Sequence, residues 1–237
     1  MTLIQLKNRI DIILSFPFTI FFNFYYLPFR QAIKIPIILY RPSFYGLGGH
    51  VKIVCSNLHF GMIHLGRRNG IVLQRKGFWY QNQGGTIIFR GMCHLGAGTT
   101  LFVGENATLD IGDRISNAVA LNIDCRYRIK INGPSGLGWD VILMDSAMHT
   151  LKNDNGMPAG KGYGEIVIGS NNWITTKCIV LAGSRTPDFC IAATSSLLNK
   201  DYSGESPRCL LAGCPAQVKR YGIWRDFDDC RMIYTFF

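Results

Sequence analysis

No two cysteines in this chain stand at CxxC spacing, and no histidine lies near a cysteine at a zinc-finger interval, although eight cysteines are present. A structural zinc site of that kind is excluded. The chain also lacks a recognisable cleavable leader, so the thiols read as reduced and the protein as cytoplasmic. Charge is sparse, at 17% of residues against 48% hydrophobic, which excludes disorder and implies a globular protein with more apolar surface than usual. What charge there is leans one way, with 25 Lys plus Arg against 15 Asp plus Glu. Such an excess attracts phosphates, polyanions or an acidic membrane face, and no nucleic-acid partner is expected. The 26 glycines call for many tight turns, and 237 residues suit one elongated domain, or one domain with an appendage.

Residues 10–29, IDIILSFPFTIFFNFYYLPF, hold a single charge and are followed by Arg30, Lys34 and Arg41. A membrane-spanning helix needs about 20 apolar residues, and Asp11, Pro17, Asn23 and Pro28 interrupt this one. Aromatic rings beside cations suit the headgroup layer instead. Two main readings stay open, with a true span as a lesser third: residues 1–40 touch a membrane peripherally at its inner face, or they pack on the protein body or a sister subunit.

From Ile168 onward the chain divides every six residues into IGSNNW, ITTKCI, VLAGSR, TPDFCI and AATSSL. The first position runs Ile168, Ile174, Val180, Thr186, Ala192, Leu198, and the fifth runs Asn172, Cys178, Ser184, Cys190, Ser196. Neither a helical period nor strict alternation produces this phase, whereas a short strand plus a tight turn does, and three such units close a triangle. The phase recurs upstream in INGPSG, LGWDVI and LMDSAM, from Ile131, Leu137 and Leu143, and more loosely in LGAGTT, VGENAT and IGDRIS. Between the blocks, residues 149–165 lose the phase and read as a loop leaving the coil. The expected divisions are an apolar and basic segment over 1–49, a solenoid over 50–219 with regular coils from about 85, and a tail or cap over 220–237.

These hexads resemble those of the hexapeptide-repeat acyltransferases. That resemblance implies an all-β left-handed parallel β-helix with eighteen residues per coil, working as a homotrimer with acetyl-CoA as acyl donor and no metal. GWDVILMDSAMH is similar to the family's segment bearing the catalytic histidine, so His149 would be the general base for an acceptor hydroxyl. Imidazole suits that task, being largely neutral at cellular pH. Asp145 would orient the ring or serve only a turn. Related members carry an acid two residues before the histidine, where this chain has Ala147. Asn122 would hold the oxyanion or the acceptor, or else form an inward asparagine ladder, with Asn117 the weaker candidate.

By the same resemblance Trp173 lines the acceptor and pantetheine region or merely packs, Trp139 lies by the acceptor or merely packs, and Thr176 and Thr194 offer backbone hydrogen bonds to the pantetheine arm, although Thr175 and Thr176 replace the family's small residue. Lys200, Lys219 and Arg220 match positions that meet the phosphates of coenzyme A. Cys178 and Cys190 could in principle carry an acyl group, but their phase marks them as buried corners. The implied reaction is O-acetylation of a sugar hydroxyl in a capsular or surface polysaccharide precursor. A small soluble sugar or amino-sugar acceptor, or an inactive solenoid scaffold, are the alternatives. The zinc chemistry of γ-type carbonic anhydrases is disfavoured, because none of His50, His59, His64 and His94 shares a coil with His149.

Overall fold

The six-residue phase becomes three flat parallel faces. In the computed structural model, which describes residues 3–69 and 75–228, the chain visits the first, second and third face in turn and then returns to the first. The first face begins with Ile37–Leu39, Ile63–Arg67 and Cys93–Gly96, the second with Pro42–Leu47, Phe78–Asn82 and Thr99–Val103, and the third with His50–Ile53, Thr86–Phe89 and Thr108–Ile111. Every neighbouring pair within a face is parallel except the last on the first face. This is the left-handed parallel β-helix expected from the hexads.

The residues themselves explain the period. First positions Ile168, Ile174, Val180, Ala192 and Leu198 are fully buried, and so are fifth positions Asn172, Cys178, Ser184 and Cys190. Both point inward, flanking one outward residue of each short strand. The residue before each fifth position bends the corner: Asn171, Lys177, Phe189 and Ser195 have φ of 57°, 57°, 57° and 60°. That left-handed conformation is uncommon outside glycine, and it leaves room inside the corner only for a small side chain. Coils of eighteen residues occur only late, where Trp173 pairs with Ile191 and Ile179 with Leu197. Earlier coils are looser: Ile115 pairs with Ser135, twenty residues on, and Thr100 with Asn122, twenty-two on.

The winding starts well before residue 85 or residue 50. Its first coil is Ile37–Ile53, of which the first two strands lie inside the segment, residues 1–49, expected to be an appendage. Large inward residues stand there and in the next coil, which is why the hexad frame does not show: Tyr40, Phe78, Tyr80 and Phe89 fill the base of the prism.

Residues Leu3–Tyr26 form one helix, α1, uninterrupted by Pro17. Its polar residues face the protein. Asn23 Oδ1 accepts from the Ile37 amide and its Nδ2 donates to the Ile37 carbonyl; Thr19 Oγ1 accepts from the Leu39 amide and Ser15 Oγ from the Arg41 amide. Asn8 exchanges two bonds with the backbone of Arg68, and Asp11 pairs with Arg41 and Arg68. Residues 8, 11, 15, 19 and 23 thus make one helical stripe that closes the open edge of the first strand, a solution to the edge problem of sheets. The segment therefore packs on the protein body, and Asp11 and Asn23 serve that contact.

At the other end, Cys209–Gly213 turns back into the antiparallel strand Ala216–Tyr221. Residues 222–228 then run down the first face as a strap, tied by an Arg114–Asp228 ion pair of 2.8 Å. Gly136 lies beneath it, where a Cβ would stand 2.9 Å from Arg225 Nη1 and 3.1 Å from the Phe227 ring. The rest of the expected tail, residues 229–237, lies outside the described residues.

Candidate active site

The expected loop is an arm with its own pairing. After Ile142–Met144 on the second face the chain leaves the corner before the third face and returns at Ile166–Ile168. Gly164 N donates to Asp145 O, Ala147 N to Gly162 O at 2.7 Å and Ala159 N to Leu151 O at 2.7 Å, so the limbs run antiparallel. His149 sits on the outgoing limb, exposed. Met148, just before it, has φ of 59°, within the range of the regular corners, and its amide donates to Ser146 Oγ at 3.0 Å. Beside this turn is a recess of about 380 Å³ lined by Met144, Ser146, Ala147, Gly162, Tyr163, Leu181 and Ala182. The Tyr163 ring leans on Tyr127, centroids 4.9 Å apart, bracing the returning limb.

Asp145 does not orient the imidazole. It is fully buried, its Oδ1 accepting from the Arg126 amide at 2.7 Å and its Oδ2 from the Tyr127 amide at 2.9 Å. Burial pushes its carboxyl above the usual aspartate range, and those amides oppose the rise. It therefore braces the corner of the preceding coil, which is the turn role left open by the sequence. Among the described residues no side chain bonds the His149 ring.

The asparagines separate cleanly. Asn122 is half-buried on the outward side of the second face, between Thr100 and Ile142 in register, and is no inward ladder residue. Asn117 is the internal one: its Nδ2 donates to the carbonyls of Leu137 and Gly138 at 3.1 and 2.7 Å, and its Oδ1 accepts from Gly96 N. With both ends committed inside the corner, Asn117 is not available to a substrate.

A second recess, of about 330 Å³, gathers several residues expected near the acyl donor. Trp139, Trp173, Thr175 and Thr176 line it with Asn69, Ser116 and Arg225. It occupies the first face and its corner with the second face. Thr175 Oγ1 donates to Ala192 O at 2.7 Å and lies 3.3 Å from Thr194 Oγ1. The Thr176 carbonyl already accepts one bond, from Ser195 N. Arg225 was not foreseen from the sequence. Its guanidinium lies 5.1 Å from the Trp173 ring centroid and 4.5 Å from that of Phe227, sandwiched between them. No local motif signals this, since the strap is some fifty residues downstream.

The cationic candidates are exposed but dispersed. Lys200 stands over the Tyr202 ring at the same corner as His149, whereas Lys219 and Arg220 lie on the antiparallel strand at the far end of the first face. Within one chain the His149 recess and the Trp173 recess flank opposite edges of the second face. Cys178 and Cys190 are buried corner groups, as their phase indicated. Burial raises the Cys178 thiol, and the bond to Cys209 together with burial raises Cys190, so neither is a nucleophile. Among the described residues no cluster of histidine, cysteine and carboxylate is arranged to hold a metal.

No family model matches the chain, and no curated protein does. Solved structures with a similar course of chain include the polySia-specific acetyltransferase NeuO, 16% identical over 81% of this chain and 92% of that one, with a TM-score of 0.45. The polysialic acid O-acetyltransferase OatWY is 16% identical over 82% and 93%, with a TM-score of 0.46. A hexapeptide-repeat containing acetyltransferase from Vibrio cholerae, complexed with acetyl coenzyme A, is 15% identical over 77% and 73%, with a TM-score of 0.31. The likeness concerns the winding, which the strand register already establishes.

Proposed function

We propose that this chain is an O-acetyltransferase that moves an acetyl group from acetyl-CoA to a sugar hydroxyl of a surface or capsular polysaccharide precursor, with His149 as general base. One observation carries the reading: at the corner after Ile142–Met144 the prism throws out a long paired arm, and that arm holds an exposed histidine, without a side-chain partner among the described residues, beside a recess.

The site is completed by a second prism in a homotrimer. The outward residues of the second face in the later coils are Ile142, Met144, Ile179, Leu181 and Leu197, an apolar row next to the arm that favours burial against a neighbour. In a closed three-fold ring contacts run head to tail, so the His149 edge of one prism meets the Trp173 edge of the next. That groove would bring Trp139, Trp173, Thr176, Thr194, Lys219 and Arg220 of one copy to His149 and Lys200 of another. Asn122, outward on the same face, is proposed as the donor to the developing oxyanion. There His149 takes the proton from the acceptor hydroxyl as its oxygen attacks the thioester carbonyl carbon. The carbon–sulfur bond then breaks and the imidazolium returns its proton to the departing thiolate.

The test is release of free coenzyme A thiol with glycan acceptors, comparing the protein with His149→Ala. General-base loss should lower turnover by about 10²–10⁴-fold. Equal turnover by the two would refute the assignment. Absence of turnover in both would favour the inactive scaffold, consistent with Ala147 standing where an acid is usual. Turnover restricted to small soluble sugars would reassign the acceptor.

A further inference from the structure

The helix α1 is turned inside out. Its polar stripe is spent on the strand edge, so its apolar side faces outward: Ile10, Ile13, Leu14, Phe16, Phe18, Phe21 and Phe24 are each more than 40% exposed, and Phe29 and Ile33 just beyond are 70% and 54% exposed. A helix of 24 residues, about 36 Å long, thus lays a continuous hydrophobic surface across the base of the prism. Among the described residues no helix is long and apolar enough to cross a membrane, and the strand contacts hold this one flat against the protein.

Charge singles out what covers it. Residues 1–104 contain eleven Lys and Arg and one acid, Asp11, a net of 11 − 1 = +10; residues 105–237 contain fourteen of each sign, a net of zero. The whole positive excess of the molecule therefore belongs to the helix and the first coils. Asp11 is buried and already paired with Arg41 and Arg68. Beside it, along the helix flank, is a recess of about 470 Å³ lined by Lys7, Ile10, Asp11, Arg41, Arg68 and Lys76, four cations and one carboxylate, a net of 4 − 1 = +3. A second copy of this same surface would be repelled by it, and the charge is complementary to an anionic one.

We infer that the base of the prism docks on an anionic phospholipid bilayer, with the apolar side of α1 lying in the interfacial layer and the cationic recess taking headgroup phosphate. Apolar burial and attraction to anionic lipid act together in this mode, and the prism would then stand with its later coils and the His149 arm away from the lipid. The surface is defined without reference to acetyl transfer, so it stands or falls separately from the enzymatic reading.

The experiment is co-sedimentation of the full chain with vesicles of mixed phosphatidylcholine and phosphatidylglycerol, against phosphatidylcholine alone, with light scattering in the absence of lipid. Binding to the anionic vesicles is expected, weaker by about tenfold or more on the neutral ones. The double variants Ile13→Gln/Phe21→Gln and Lys7→Glu/Lys76→Glu should each lose about tenfold or more of that binding, with the urea midpoint kept, since none of these four side chains bonds the strand edge. Absence of binding by the natural chain, or undiminished binding by the apolar double variant, would overturn the inference. So would a fall in particle mass caused by Ile13→Gln/Phe21→Gln in the lipid-free protein, which would show that α1 covers another copy.

Discussion

Replacing Asp145 by alanine separates two roles that the sequence left open. The carboxylate is itself fully buried and accepts from the amides of Arg126 and Tyr127, two exposed residues, at 2.7 and 2.9 Å. Alanine takes the acceptor from both part-buried amides, at up to about 1–3 kcal/mol each. Relief of the buried charge recovers part of that cost, because desolvation is the largest influence on this carboxyl. A net loss of about 2–4 kcal/mol is expected. Asparagine should cost less, since its carbonyl can still serve one amide while its NH₂ opposes the other. The assay is urea unfolding at one fixed protein concentration, because association contributes to apparent stability, together with thiol release by whatever folded protein remains. If alanine left the urea midpoint unchanged but abolished turnover, Asp145 would be acting on His149 and the corner role would be refuted.

Other outcomes follow from the same geometry. Asn23→Ala removes both partners of the Ile37 backbone and should destabilise by about 3 kcal/mol, measured by urea unfolding; a loss below about 0.5 kcal/mol, the usual surface effect, would show that the edge is satisfied another way. His64 and His94 stack on the first face, centroids 6.1 Å apart, and burial first, then Arg67, brings each down from 6.5 to about 4. Their folded forms hold protons less readily than the unfolded chain, so their contribution is complete above about pH 6.5 and is lost as pH falls toward 4, at up to about 1.4 kcal/mol per pH unit for each ring. Thermal unfolding across that window should show the decline, and His94→Gln should flatten it. An equally steep decline in the variant would remove His94 as its source. Asp145, raised rather than lowered, contributes in the opposite direction, so the comparison with the variant is the informative one.

The late coils were legible because one rule, apolar at the first position and small at the fifth, repeats where strands are short and corners tight. The early coils hid the same winding, since aromatic residues such as Phe78 and Tyr80 fill a wider base and extra residues enter the corners. The histidine-bearing arm could be read as a loss of phase over 149–165, but its paired limbs begin at Asp145. Asp145 was ambiguous because an acid four residues before a histidine suits either a turn or a catalytic pair. The partners that decide between these, the Arg126 and Tyr127 amides, come from the coil below. Arg225 escaped notice for the same reason: its place against Trp173 depends on a strap returning down the first face.

By itself the sequence determined the solenoid, its three-sided period, the buried corner thiols and the position of His149 at an interruption, because each of these is a local pattern repeated along the chain. Only the tertiary structure decided which side of the first helix faces outward, what Asp145 and Asn117 hold, and that the two recesses flank opposite edges of one face. Those depend on hydrogen-bonding groups at an open strand edge and on contacts between coils some twenty residues apart, and no window of the sequence contains both partners.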